Sequence, residues 1–204
     1  MVKKLNPIIV RDKLVERGLI IFTPQEFRTL FGVSTGAARK FIHSYTKKSL
    51  FMKLRNGLYT LNEKQPSPYV IANKLYQPSY ISLETALSFH QLIPEVVYSI
   101  TSITTKATRE FAALNQSFSY TRFKKSIFQG YQLVTHGTDR FLMAEPEKAV
   151  ADYLYLVALS HKPLNDRLSL DRFSQQKLQA WVRLFQSRRL TQLLRDLYAH
   201  HPTN

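Results

Sequence analysis

The chain has 204 residues, 44% of them hydrophobic and 12% aromatic, which supplies a folded core and argues against a disordered chain. Its 29 Lys and Arg against 14 Asp and Glu give a formal charge of +15 and an isoelectric point near 10.1, so the expected partner is a polyanion, nucleic acid ahead of an anionic membrane surface. There is no cysteine, which excludes disulfides, thiol nucleophiles and zinc ribbons; no apolar run is long enough to span a bilayer and the start does not read as a signal peptide, so a cytoplasmic location is expected.

Asn6 and Pro7 open a first predicted helix whose Ile9, Val10, Leu14 and Val15 should pack inward, and Gly18 closes it. Leu19 to Phe22 predicts a short strand. Thr23 then caps a second helix with Pro24 at its first position and Glu26 in its first turn, where the helix dipole favours a carboxylate. Phe27, Leu30 and Phe31 recur at helical spacing, and Gly32 ends the helix in the left-handed conformation that glycine adopts freely. Ser34 caps a third helix, Thr35 to about Lys48. Ala38, Phe41, Ile42 and Tyr45 form its apolar stripe, with Gly36, Arg39, Lys40, His43 and Lys47 as a neighbouring stripe of donors.

Asn56-Gly57 between Phe51–Leu54 and Leu58–Leu61 predicts a hairpin with a type I′ turn, which needs positive φ at both central residues. Helix, turn, helix and basic hairpin follow the order of a winged helix-turn-helix. The small residues Ser34, Thr35, Gly36 and Ala37 would let the third helix approach base edges in a major groove. Arg39 and Lys40 suit guanine, with phosphate contact the alternative for both and equally weighted for Lys40; His43 suits phosphate or solvent, and Lys47 the phosphate backbone. The hairpin would be the wing, with Lys53, Arg55 and Asn56 at or beside its tip. Residues 1 to 65 hold 13 Lys and Arg against 4 Asp and Glu, so the charge is densest where this motif lies.

The segment 62–68, NEKQPSP, reads as a linker between a DNA-binding unit at 1–62 and a second unit at 69–204. A helix is expected from about Tyr69 to Tyr76, a brief strand at Tyr80-Ile81, and a helix from Leu83 to about Gln91 capped by Ser82. Val96 to Thr104 should be a central strand; Phe118, Tyr120 and Phe123 mark a half-buried one. Gly130–Thr135 and Arg140–Met143 flank a four-residue hairpin loop, His136 to Asp139. Helices are predicted over Ala144–Ser160 and twice more, around Trp181 and around Leu193. The class is α+β: an N-terminal winged helix-turn-helix and a C-terminal unit of mixed sheet with helices.

Nothing in the chain reads as an enzyme, cofactor or metal site. There is no Gly-rich phosphate loop, no Gly-x-Ser-x-Gly, no His-x-x-x-His and no Asp-x-Asp, and the six histidines lack close pairing with carboxylates. Glu145 and Glu147 beside Pro146 suit a helix N-terminus. Lys148 and Asp152, four apart, read as an ordinary surface ion pair, and Lys106, Arg109, Arg122, Lys124 and Lys125 as a solvated face or a surface that follows nucleic acid beyond the wing.

With YISLETALSFHQLIPE at 80–95 and MAEPEKAVADYLYL at 143–156 behind that N-terminal module, nearly the whole chain resembles the AbiEi family of antitoxins of type IV toxin-antitoxin systems. The resemblance implies a repressor that binds inverted repeats in its own promoter as monomer or homodimer. It also implies a C-terminal unit that neutralises a nucleotidyltransferase-like toxin without a stable complex, and it puts DNA contacts on Ser34, Thr35, Arg39, Lys40, Lys53 and Arg55. It brings no catalytic residues. A basic interaction protein, or a DNA-binding regulator with no toxin partner, is the alternative on the residues alone.

Overall fold

The computed structural model describes residues 5–200, a mixed α+β arrangement with two sheets. The N-terminal unit comprises α1 (Pro7–Glu16), β1 (Ile21–Phe22), α2 (Pro24–Phe31), α3 (Thr35–Lys47), β2 (Phe51–Arg55) and β3 (Leu58–Leu61). The helix ends follow from local chemistry. Asn6 Oδ1 accepts from the Ile8 amide, and Thr23 and Glu26 form a reciprocal capping box, with Thr23 N–H donating to Glu26 at 2.7 Å. Gly32 leaves α2 at φ +62°, and Ser34 Oγ accepts from the Ala37 amide at 3.2 Å. Of the four α1 residues expected to pack inward, Val10 and Leu14 are buried; Ile9 and Val15 face out, because the partner helices lie on one side of α1 only.

The three strands form an antiparallel sheet in the order β1-β3-β2. The Asn56-Gly57 turn is not type I′, as only Gly57 has positive φ (+75°) and the register slips by one residue between Lys53 and Arg55. One left-handed glycine beside a one-residue slip marks a bulged turn, so the hairpin is sharper in twist than expected.

After residues 62–67, which form neither helix nor strand, the second unit runs α4 (Pro68–Leu75), β4 (Ser79–Ile81), α5 (Leu83–Phe89), β5 (Ser99–Thr104), β6 (Arg109–Ala113), β7 (Gln116–Arg122), β8 (Tyr131–His136), β9 (Asp139–Ala144), α6 (Pro146–Ala158), α7 (Gln175–Leu184) and α8 (Arg188–His200). Its sheet has the order β6-β7-β5-β4-β9-β8, with β5·β7 and β4·β9 parallel and the other pairs antiparallel. The expected central strand is β5; two of its buried hydroxyls are satisfied, Thr101 Oγ1 donating to Ser82 O at 2.6 Å and Thr104 Oγ1 to Pro78 O at 2.7 Å, while the buried Ser102 hydroxyl has no partner. Strand β6 had no sequence signal, since its residues REFAA are mostly exposed at the sheet edge. The β8–β9 loop has two residues rather than four: His136 pairs with Asp139, and Gly137 turns the chain at φ +60°.

Two apolar cores result. Phe22, Phe27, Phe31, Ala38, Ile42, Phe51 and Leu61 fill the first, with Phe27 within 4.6 Å of the Phe31 ring and 5.6 Å of Phe41. The second core fills the larger unit and also takes in Ile21, Leu54 and Leu58 from the small sheet. The β2–β3 hairpin therefore packs on both sides.

Candidate nucleic-acid interface

Helix α3 is held from beneath by Ala38 and Ile42, both fully buried, and by stacking of Phe41 on Phe27. That anchorage turns Gly36, Arg39, Lys40, His43 and Lys47 outward, and all five are exposed. Gly36, Lys40, His43 and Lys47 recur at three- and four-residue steps and form one stripe, with Arg39 on its flank. Ser34 and Thr35 sit at the N-terminal end. The Ser34 hydroxyl is committed to capping, and Thr35 Oγ1 accepts from Arg28 Nη1 at 3.4 Å. Lys48, the residue after α3, lies 5.4 Å from the Tyr45 ring centroid, a cation–π contact.

The positive face is uncompensated. Arg39, Lys40, Lys47 and Lys53 have no ion-pair partner among the described residues. Three of the four acids in residues 1–65 are engaged elsewhere: Glu26 in the capping box, Asp12 and Glu63 with Arg11 at 2.8 and 3.6 Å. Among the described residues no ion pair neutralises a cation of α3.

In the hairpin the expected residues divide. Lys53, Arg55 and Asn56 are all exposed, but Arg55 is also tethered to the second unit, its Nε donating to Leu75 O at 2.7 Å and its Nη1 to Asn56 O at 3.0 Å. Arg55 thus ties the hairpin to the end of α4. Lys106 and Arg109 lie 5.4 and 5.9 Å from the ring of Tyr76, the residue after Leu75, so positive charge continues from the hairpin onto β6.

The Lys148–Asp152 pair corrects the expectation of a surface contact: both side chains are completely buried. Lys148 Nζ donates to Asp152 Oδ1 and, at 3.0 Å, to Tyr80 Oη; Tyr80 Oη and Ser82 Oγ donate to Asp152 Oδ2 at 3.0 and 2.8 Å. The ammonium also lies 5.2, 5.5 and 5.9 Å from the rings of Phe185, Tyr80 and Phe123. Burial pushes the Asp152 carboxyl above its ordinary value, opposed by Lys148, Ser82 and Tyr80. Burial likewise pushes the Tyr80 hydroxyl up, so it serves as a neutral donor. With every polar atom satisfied internally and no exposed member, the network joins β4, α6 and the end of α7; it presents no reactive atom to solvent. The helical spacing of Lys148 and Asp152 was visible in sequence, but the apolar wall around them comes from strands distant in the chain.

Gly130 belongs to the same packing. At φ +77°, a Cβ there would come within 2.8 Å of the Trp181 ring and 2.9 Å of Lys148 Cγ. Only glycine fits between them.

Among the described residues no group of three His, Cys, Asp or Glu is positioned to hold a metal, and no helix is long and apolar enough to cross a membrane. No family model and no curated protein matches the chain.

Proposed function

We propose that the protein is a sequence-specific DNA-binding repressor of the AbiEi type, with the N-terminal unit acting as a winged helix-turn-helix. The observation that carries this reading is the exposed cationic stripe of α3, without ion-pair partners among the described residues, standing on an aromatic core with an N-terminal end of small residues. In this reading Arg39 and Lys40 meet base edges, His43 and Lys47 meet phosphates, and Lys53 with Asn56 reaches the flanking backbone. Arg55 supports the wing from behind through Leu75, and Lys106 and Arg109 extend the phosphate-contacting face.

A single recognition helix reads too few base pairs for operator specificity, so two copies on an inverted repeat are expected. The second unit would carry the antitoxin role towards a nucleotidyltransferase-like toxin. The test is binding of the purified chain to its own upstream DNA and to scrambled DNA across a salt series. A preference of roughly a thousandfold or more that persists as salt rises supports the repressor. Equal and steeply salt-dependent binding to both rejects it in favour of a basic interaction protein.

A further inference from the structure

Strands β4 and β9 run parallel but meet at one position, Ile81 opposite Met143, and diverge towards their N-terminal ends. Helix α4 fills part of the gap. The Asn73 side-chain amide donates to Leu142 O at 3.2 Å and accepts from Leu142 N–H, pairing with β9 as a neighbouring strand would. The rest of the gap is an open groove of about 550 Å³ between α4, the start of β4 and the β8–β9 hairpin. That volume suits a small molecule and is too small for a protein face.

Two oddities of the molecule fall in this one groove. Leu133 is 50% exposed on its wall, although the neighbouring Leu142 is largely covered. Ser79, which also lines the groove, is only 4% exposed, and its hydroxyl is sealed from solvent and has no hydrogen-bond partner. The other walls are largely apolar, with the rings of Phe128 and Tyr131 among them. Lys74 and Arg140 line it as exposed cations without an ion-pair partner among the described residues, and no acid lines it.

We propose that this groove binds a small anion with a flat apolar or aromatic body, and that its occupancy is felt at the DNA-binding hairpin. The rings and Leu133 take the body, and Lys74 and Arg140 take a carboxylate, sulfonate or phosphate. The route to the hairpin is short. Val70, Asn73 and Lys74 are on α4, and Leu75 at its end accepts the hydrogen bond from Arg55 of β2. A ligand that shifts α4 against β9 shifts the anchor of the hairpin. This coupling, unlike the groove itself, rests on the DNA-binding reading above.

The probes are 8-anilinonaphthalene-1-sulfonate, an aromatic anion, and N-phenyl-1-naphthylamine, the same body without the sulfonate, each titrated by fluorescence into the full chain. One saturable site is expected, with the sulfonate bound severalfold more tightly. Lys74→Glu with Arg140→Glu should weaken the sulfonate at least tenfold and the neutral probe less than twofold; Leu133→Asp should weaken both. All three positions are exposed, and unchanged thermal unfolding of the variants would certify their folds. Binding that is absent, or indifferent to these substitutions, overturns the groove. With the groove saturated, affinity for the upstream DNA should change at least threefold in the parent chain and not in Leu133→Asp; an unchanged affinity overturns the coupling. A chain that binds the sulfonate in the groove but no DNA at any salt overturns the coupling together with the DNA reading and leaves the groove standing.

Discussion

Two helices of this chain carry charges at helical spacing and use them in opposite ways. On α3, Lys40 and Lys47 are exposed with no ion-pair partner among the described residues. On α6, Lys148 and Asp152 are sealed from solvent and neutralise each other, with Tyr80 hydrogen-bonded to both and Ser82 to Asp152. Spacing along a helix is the same information in both cases. What differs is what packs against the helix: α3 meets neighbours on one face, whereas α6 runs between α5, α7, α8 and β9 and is buried along nearly its whole length. An exposed charge is available to a ligand, and a buried pair acts on the fold.

The sharpest way to break the comparison is to remove one member of the buried pair. Lys148→Ala leaves the Asp152 carboxylate buried without its cation and should cost about 3–5 kcal/mol in denaturant unfolding, whereas the paired change Lys148→Met with Asp152→Leu should cost much less than the two single losses summed. Gly130→Ala, which forces Cβ against Trp181 and Lys148 at positive φ, should cost about 2–4 kcal/mol by the same measurement.

Substitutions on α3 should do the reverse, leaving stability within about 0.5 kcal/mol and acting on DNA. Arg39→Ala should lose about 1–3 kcal/mol of discrimination at one base position, read by competition between operator variants. Ser34→Ala removes the cap and should cost about 1 kcal/mol of stability, the one α3 change seen in both assays. Lys47→Ala should weaken binding to all sequences alike and lower the salt slope by about one contact. Equal losses from Arg39→Ala and Lys47→Ala on every sequence would remove the base-reading role.

The sequence was most legible where local chemistry decides. The caps at Asn6, Thr23 and Ser34, the left-handed Gly32 and the β2–β3 hairpin all depend on residues within a few positions of one another, and they stand where the pattern put them. The tether of Arg55 was not legible, because its acceptor, Leu75 O, lies 20 residues on. Lys148 and Asp152 read as surface because Tyr80 and Ser82 lie about 70 residues back. Strand β6 was silent, since an exposed edge needs no apolar alternation. The groove beside α4 was silent too, because it arises where β4 and β9 part, a property of pairing rather than of either strand.

The double-sided hairpin has a consequence for how the molecule behaves as a material. Ile21, Leu54 and Leu58 belong to the larger core, while Phe51 and Leu61 of the same small sheet belong to the other. Cutting the chain at Asn62 would strip cover from three apolar side chains, each contributing about 1.5–3 kcal/mol when buried. The N-terminal unit is therefore not a transplantable cassette: a fragment ending there would be sticky and weakly folded, and the intact chain should melt in a single cooperative step.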